Sequence, residues 1–375
     1  MSKYTGPVID VDVHNIWKSQ AELVEYLPRK WQAHFTENSH SPVPLKPPSN
    51  TNYAMLPSGG HRQDSWPEKG PSGSSYELMR EQLLDRYRHY RTLLTYNLGS
   101  QPSILNPYLA SEVCRAMNEW QIEKWLGRDE RLYGTIVAPI GLPEEAAEEI
   151  RRVGEHPKMA GVLISVNPLN RPFGDPNYHP VYAAAEEMDL PLCFHPSSAD
   201  IGLTKTNVGI PGTSLEYLSS GFVPQGMHTV SSLVVHGVFE KYPNLRVMIL
   251  EYGLGWIPSL LWRLDHNFDI LRAESPALKR LPSEYILEHF MFATQPLEEF
   301  KSRSDFVSLL STVDGLEEHL CFSSDYPHIS TDDADFVARA FSEEWRPKVF
   351  YENACRMFNW PLPETVEPAV AAQVA

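Results

Sequence analysis

Val8-Ile9-Asp10-Val11-Asp12-Val13-His14-Asn15 reads as one β-strand with two unlike faces. Successive side chains of a strand point to opposite sides, so Asp10, Asp12 and His14 share one face and Ile9, Val11 and Val13 the other. Two acids and an imidazole on one face allow two readings. They belong to a polar edge strand running into a turn, or they face inward, where burying them is costly without a cation or a full set of hydrogen bonds.

Outward from this segment the chain alternates short apolar runs with stretches of helical spacing. The runs are Val8–Val13, Leu93–Tyr96, Gly134–Pro139, Gly161–Val166, Leu190–Phe194, Leu245–Leu250, Phe290–Ala293 and His319–Phe322. They are brief, mostly apolar and bounded by turn residues, as strands covered on both faces should be. Between them apolar residues recur three or four apart, as in Met79, Leu83, Tyr87, Tyr90 and Leu94 and again in Val113, Met117 and Trp120. Such alternation predicts parallel β/α architecture, and eight runs in 375 residues suit a (β/α)8 TIM barrel. The expected organisation is one barrel domain over 1–360 and a C-terminal tail over 361–375. A long insertion rich in Pro, Ser and Gly spans 36–75, after the first strand and a short helix Glu22–Trp31. A loop of that length in a compact domain is commonly functional or disordered.

Composition narrows the partners. The net charge is −16, which argues against nucleic acid, because phosphate binding needs a basic face. No apolar run is long enough to span a bilayer, and the first residues show no signal peptide. Cys114, Cys193, Cys321 and Cys355 form no C-x-x-C pair and read as reduced, buried thiols of a cytoplasmic protein.

Three further segments put ionisable groups at strand ends. Leu190–Phe194 runs into His195-Pro196, and Leu320-Cys321-Phe322-Ser323-Ser324 into Asp325-Tyr326-Pro327-His328. Alone, His195 reads as a hydrogen-bonded structural histidine and Asp325 as a helix cap. Jointly, Asp12, His14, His195 and Asp325 all fall at the C-terminal ends of predicted strands, the face on which TIM barrels build active sites. Imidazole and carboxylate ligands suit Zn, Mn or Fe, and such an ion polarises a carbonyl, activates water or orients a carboxylate.

These motifs resemble the amidohydrolase superfamily, in the branch around aminocarboxymuconate-semialdehyde decarboxylase. That branch carries Asp-x-His-x-His on strand one, His-Pro after strand five, His-Gly-Gly after strand six and Asp-Tyr-Pro after strand eight. The resemblance extends from Val8 to about Phe358 and includes Gly237-Val238-Phe239-Glu240-Lys241-Tyr242-Pro243 and Glu352-Asn353-Ala354-Cys355-Arg356. It implies a metal held by Asp12, His14, His195 and Asp325. This chain departs from the family pattern twice: Asp12 replaces the first histidine of the pair, and Glu251, in Leu250-Glu251-Tyr252-Gly253, replaces the catalytic histidine after strand six. Glu251 is then a general acid or base, a further metal ligand, or one half of a structural ion pair.

The resemblance implies a metal-dependent hydrolase or decarboxylase acting on a small carboxylate- or amide-containing substrate, with Glu251 and Asp325 as its catalytic pair. Trp256, Gln295 and His328 are candidate substrate-binding residues, with Thr294 beside them. His236 and His266 read as packing histidines, and His61, His89, His179 and His319 carry no signal. Two other functions remain open. The wealth of carboxylates would suit two metals per chain and oxygen chemistry, as in a two-metal hydroxylase that the branch resembles. Alternatively the barrel is a metal-stabilised, non-catalytic partner of a related chain. A homo- or hetero-oligomer is expected by analogy alone.

Overall fold

The computed structural model describes residues 3–37, 56–97, 99–197, 212–298 and 302–364. Eight parallel strands follow one another in chain order: β1 Val8–Val13, β2 His89–Leu94, β3 Leu132–Val137, β4 Met159–Ile164, β5 Leu192–Phe194, β6 Val247–Ile249, β7 Phe290–Ala293 and β8 Leu320–Cys321. The ring closes between β8 and β1, where Val11 N–H donates to Phe322 O (3.1 Å), Asp325 N–H to Asp12 O (3.0 Å) and His14 N–H to Tyr326 O (2.7 Å). This is the (β/α)8 barrel expected from the alternation.

The strands are buried because helices cover their outer faces. In the helix Pro143–Gly154, Ala146, Ala147, Ile150 and Val153 are buried, one stripe at helical spacing against the sheet. The helix Pro107–Gln121 starts where the Asn106 side chain accepts from the Tyr108 and Leu109 N–H groups, with Pro107 in its first turn. Each large apolar side chain so covered, such as Ile150 or Val153, contributes about 1.5–3 kcal/mol.

Three local expectations are corrected. The helix expected at Glu22–Trp31 is two short helices, Gln20–Val24 and Arg29–Glu37, separated by Pro28, which removes an N–H donor. The helical spacing from Met79 to Leu94 ends early: one turn at Tyr76–Met79 widens over Arg80–Leu84, and Arg88 in the left-handed region (φ 54°) leads into β2. Tyr90 and Leu94 are therefore strand residues, and β2 begins four residues before its expected start. Much of the 36–75 insertion, and the tail beyond 364, lie outside the described residues.

The described end of the insertion crosses the C-terminal mouth of the barrel. Arg62 N–H donates to Pro327 O and Ile329 N–H to Gly60 O, both at 2.9 Å, so Gly60–Arg62 forms an antiparallel strap along the loop after β8. Further on, the carbonyl oxygen of Gly73 (φ 83°) accepts from Ile16 N–H. A Cβ there would stand 2.9 Å from the His14 carbonyl oxygen, so only glycine seats the insertion against the end of β1.

Candidate active site

Asp12, His14, His195, Glu251, Gln295 and Asp325 come together at the C-terminal ends of β1, β5, β6, β7 and β8, five strands that adjoin around the closed ring. All but His195 are buried to 5 % exposure or less. The polar face of β1 therefore faces inward, and the edge-strand reading falls.

Each group is oriented by backbone or by a neighbour. His14 donates Nδ1–H to the Tyr96 carbonyl oxygen (2.8 Å) and lies 2.9 Å through Nε2 from Asp325 Oδ1. Thr95 Oγ1 donates to Asp12 Oδ1 (2.6 Å). His195 holds its Nδ1 against its neighbour's carbonyl, Pro196 O (2.7 Å), which leaves Nε2 toward the cluster, 3.5 Å from Asp12 Oδ2 and 3.1 Å from Glu251 Oε2. Neither approach has hydrogen-bond alignment, and His195 Nε2 and Asp12 Oδ2 are both buried without a hydrogen-bond partner among the described residues. Asp325 is the most heavily bonded group. Its Oδ1 meets His14 and His328 Nδ1 (2.5 Å), and its Oδ2 accepts from Gln295 Nε2 (2.9 Å) and Ser330 Oγ (3.0 Å).

Three residues at this end, Tyr96, Glu251 and Asp325, hold non-glycine side chains in the left-handed region at φ 58–59°. Each costs about 1–3 kcal/mol, a strain that persists only where the surroundings enforce it. At Tyr96 the twist accompanies a carbonyl turned to His14; at Glu251 and Asp325 it accompanies carboxylates turned into the cluster.

Burial and proximity split the acids. Burial, and then the facing Asp325 carboxylate, push Glu251 well above the usual carboxyl range. Burial would also raise Asp325, yet His328 and His14 hold it below that range, and His195 and His14 do the same for Asp12. His14 is raised to about 9: burial opposes the charge, but Asp12 and Asp325 outweigh it. Asp10, whose Oδ1 accepts from the Asp12 and Ser324 N–H groups, is pushed by burial to about 7.

The set suits a divalent cation. Ligand atoms of Asp12, His14 and His195 lie within 4.8 Å of one another, as do those of His14, Asp325 and His328. The imidazole and carboxylate oxygen left without hydrogen bonds are donors of the kind Zn, Mn and Fe take, and a cation would relieve the crowding of ionised acids. Glu251 has no arginine partner among the described residues; its ion-pair contact is His195.

Other expected site residues fall differently. His328 joins the cluster and is lowered by burial to about 4. Gln295 reaches it by bonding Asp325. Trp256 is 7 % exposed, donates Nε1–H to the Tyr252 and Gly253 carbonyls and packs edge-on to Phe292, inside its own loop. Thr294 Oγ1 accepts from Ser323 N–H. His236 and His266 are exposed, away from these contacts. Thr95 and Tyr96 were legible in principle, since they follow β2. His61 was not: the strap lays its ring 5.2 Å from that of His328, with Asn97 Nδ2 2.8 Å from its Nε2.

A family model described as amidohydrolase matches residues 9–360. Gamma-resorcylate decarboxylase of Rhodococcus jostii is 27 % identical over 298 residues, 75 % of this chain and 87 % of that protein. Among solved structures, an amidohydrolase of Mycobacterium avium subsp. paratuberculosis superposes with a TM-score of 0.71 at 20 % identity, over 95 % of this chain and all of that one. A dihydroxybenzoic acid decarboxylase of Polaromonas sp., solved with manganese and the inhibitor 2-nitroresorcinol, gives 0.62 at 19 % identity over 94 % and 96 %. No helix among the described residues is long and apolar enough to cross a membrane. With nearly its whole length under one family model and the same barrel beneath it, the chain belongs to the amidohydrolase family and is an enzyme of it, a metal-dependent hydrolase or carboxy-lyase.

Proposed function

We propose that the enzyme removes carbon dioxide from a hydroxylated aromatic acid, with one divalent ion, manganese foremost, held by Asp12, His14, His195 and Asp325. The observation that carries this reading is the gathering of Asp12, His14, His195 and Asp325 ligand atoms at one end of the barrel with the Glu251 carboxyl beside them, 3.1 Å from His195; burial pushes Glu251 upward while His328 and His14 hold Asp325 down. The resemblance to gamma-resorcylate decarboxylase supports the substrate class. The ion would supply a positive charge to bind and orient the substrate's oxygens.

Decarboxylation breaks one C–C bond and leaves its electron pair on the ring carbon, which must take up a proton. Glu251, whose carboxyl burial pushes upward, would hold that proton at a carboxyl oxygen inside the cluster, 3.1 Å from His195. Asp325, fixed by four hydrogen-bonding neighbours, stays ionised and holds its geometry. The strap at Gly60–Arg62 pairs with the loop after β8 beside the cluster. Reduced buried thiols support a cytoplasmic setting, and exposed Trp262 and Ile270 on the helix Ile257–Leu271 support association with a like or related chain.

The test is anaerobic incubation of the manganese-loaded enzyme with 2,6-dihydroxybenzoate, following carbon dioxide and resorcinol. Equal release of both, with one deuterium entering the ring in heavy water, is expected. Glu251→Gln should slow turnover roughly 10²–10⁴-fold, the usual worth of a positioned acid. No release from any hydroxybenzoate by a fully metallated enzyme would overturn the proposal.

One observation favours a second reading. The two donor groups together offer Asp12, His14, His195, Asp325 and His328, and Glu251 adds another carboxylate, so side chains enough for two ions lie together. Two metals per chain with iron among them, and oxygen uptake on turnover, would select the two-metal oxygenase over the carboxy-lyase.

A further inference from the structure

Gln295, at the end of β7, is fully buried, and its amide cannot be turned end for end. Its Nε2 donates to Asp325 Oδ2 (2.9 Å) and to the Ser330 carbonyl oxygen (3.2 Å). An ionised carboxylate and a carbonyl can only accept, so the NH₂ group must stand there. The amide oxygen is thereby committed to the other side, where Oε1 is buried and meets no hydrogen-bond donor among the described residues. Leaving a buried acceptor unmet costs about 1–3 kcal/mol. The loops after the strands to either side of β7 carry Glu251 and Asp325, so Gln295 stands between these two residues on the ring.

We infer that Gln295 has two roles. Its NH₂ positions Asp325, and its oxygen reads the substrate by accepting a hydrogen bond from a hydroxyl, or an amino N–H, next to the scissile carboxylate. A site built to accept from a donor rejects the analogue that lacks it, because its own acceptor is left bare. The enzyme thus selects ortho-hydroxylated acids over acids of similar size without a donor. This rests on the decarboxylase reading above and names the feature of the substrate that is recognised.

The test is equilibrium binding of 2,6-dihydroxybenzoate and of 2,6-difluorobenzoate by calorimetry to manganese-loaded protein carrying Glu251→Gln throughout, which slows consumption of the dihydroxy acid, with metal per chain measured on each sample. Wild type here keeps Gln295 and Ser330, and each variant is made in that same background. The wild type should favour the dihydroxy acid by roughly tenfold or more. Gln295→Met should abolish that preference by weakening the dihydroxy acid alone. Ser330→Ala, which removes the other donor from the same oxygen of Asp325 but keeps the amide oxygen, should retain it. Equal binding of the two acids by the wild type overturns the inference whether or not the Met variant folds. So does a preference that survives Gln295→Met, which would leave Oε1 holding a structural water only, and one lost equally in Ser330→Ala, which would make the effect Asp325's. Binding of neither acid removes the aromatic-acid reading itself, and this inference with it.

Discussion

At the C-terminal end of the barrel polar side chains face one another; at the N-terminal end they face backbone. Just below β4, Lys158 Nζ donates to the Leu126 and Asp129 carbonyls, both at 2.7 Å. Just below β7 and β8, His289 and His319 hold the carbonyls of Leu245 and Phe290 at 2.9 Å. Asn353 Nδ2 donates to Glu317 O and Leu320 O, each at 2.8 Å, fastening the last helix to the entry of β8. These groups stitch neighbouring strand entries together, and most are fully matched. The upper end instead keeps Asp12 Oδ2, His195 Nε2 and Gln295 Oε1 unmatched. One end of the fold is arranged for stability and the other for binding, in line with how barrels divide these tasks.

Substitutions can break that division. The largest effect should come from Asp12→Asn, which keeps an oxygen for Thr95 but removes the charge. Metal affinity should fall by roughly 10²-fold or more, since even residues that merely support a ligand are worth 10–100-fold. Elemental analysis of both proteins after loading with manganese checks it.

Next in size is Asn353→Leu at the lower end. Two buried carbonyls lose their donor, and roughly 2–4 kcal/mol of stability should go with them. Turnover measured well below the melting temperature should stay near the wild-type value. Urea titration and a rate assay on the same sample decide it.

The smallest effect is a dependence on pH at His89, the exception at the lower end. His89 is buried at the start of β2, with Nδ1 2.8 Å from Thr92 Oγ1 and Nε2 unmatched. Burial, with Arg131 nearby, lowers its pKa from 6.5 to about 3. Below pH 6.5 the unfolded chain takes up a proton that the folded chain refuses, so stability falls as pH drops toward 3. At pH 5 the loss is about 2 kcal/mol. Urea unfolding at pH 7 and pH 5 should show a smaller difference in His89→Gln than in the wild type.

The two ends also differed in how far they could be read from the sequence. Asp12, His14, His195 and Asp325 were legible because strand periodicity and strand ends are local signals. β1 and β7 have the expected bounds for the same reason. The early start of β2 was hidden because Tyr87, Tyr90 and Leu94 happen to keep helical spacing across a turn that the left-handed Arg88 makes. His61 was invisible, since its place depends on pairing between residues 60–62 and 327–329, which no spacing encodes. Trp256 looked like a pocket wall from its nearness to Glu251, but its indole N–H is held by its own loop's carbonyls. The role of Gln295 needed the geometry of both ends of its amide.

The closing seam has a consequence for how the enzyme is made. His14 and Asp325 touch across β1 and β8 but are separated by 311 residues of chain. During synthesis the first strand emerges long before its last neighbour. Until β8 and the loop behind it leave the ribosome, β1 exposes an edge and its buried acids have no Asp325, no His328 and no strap above them. A nascent chain that has not yet released this loop therefore holds an incomplete set of ligands.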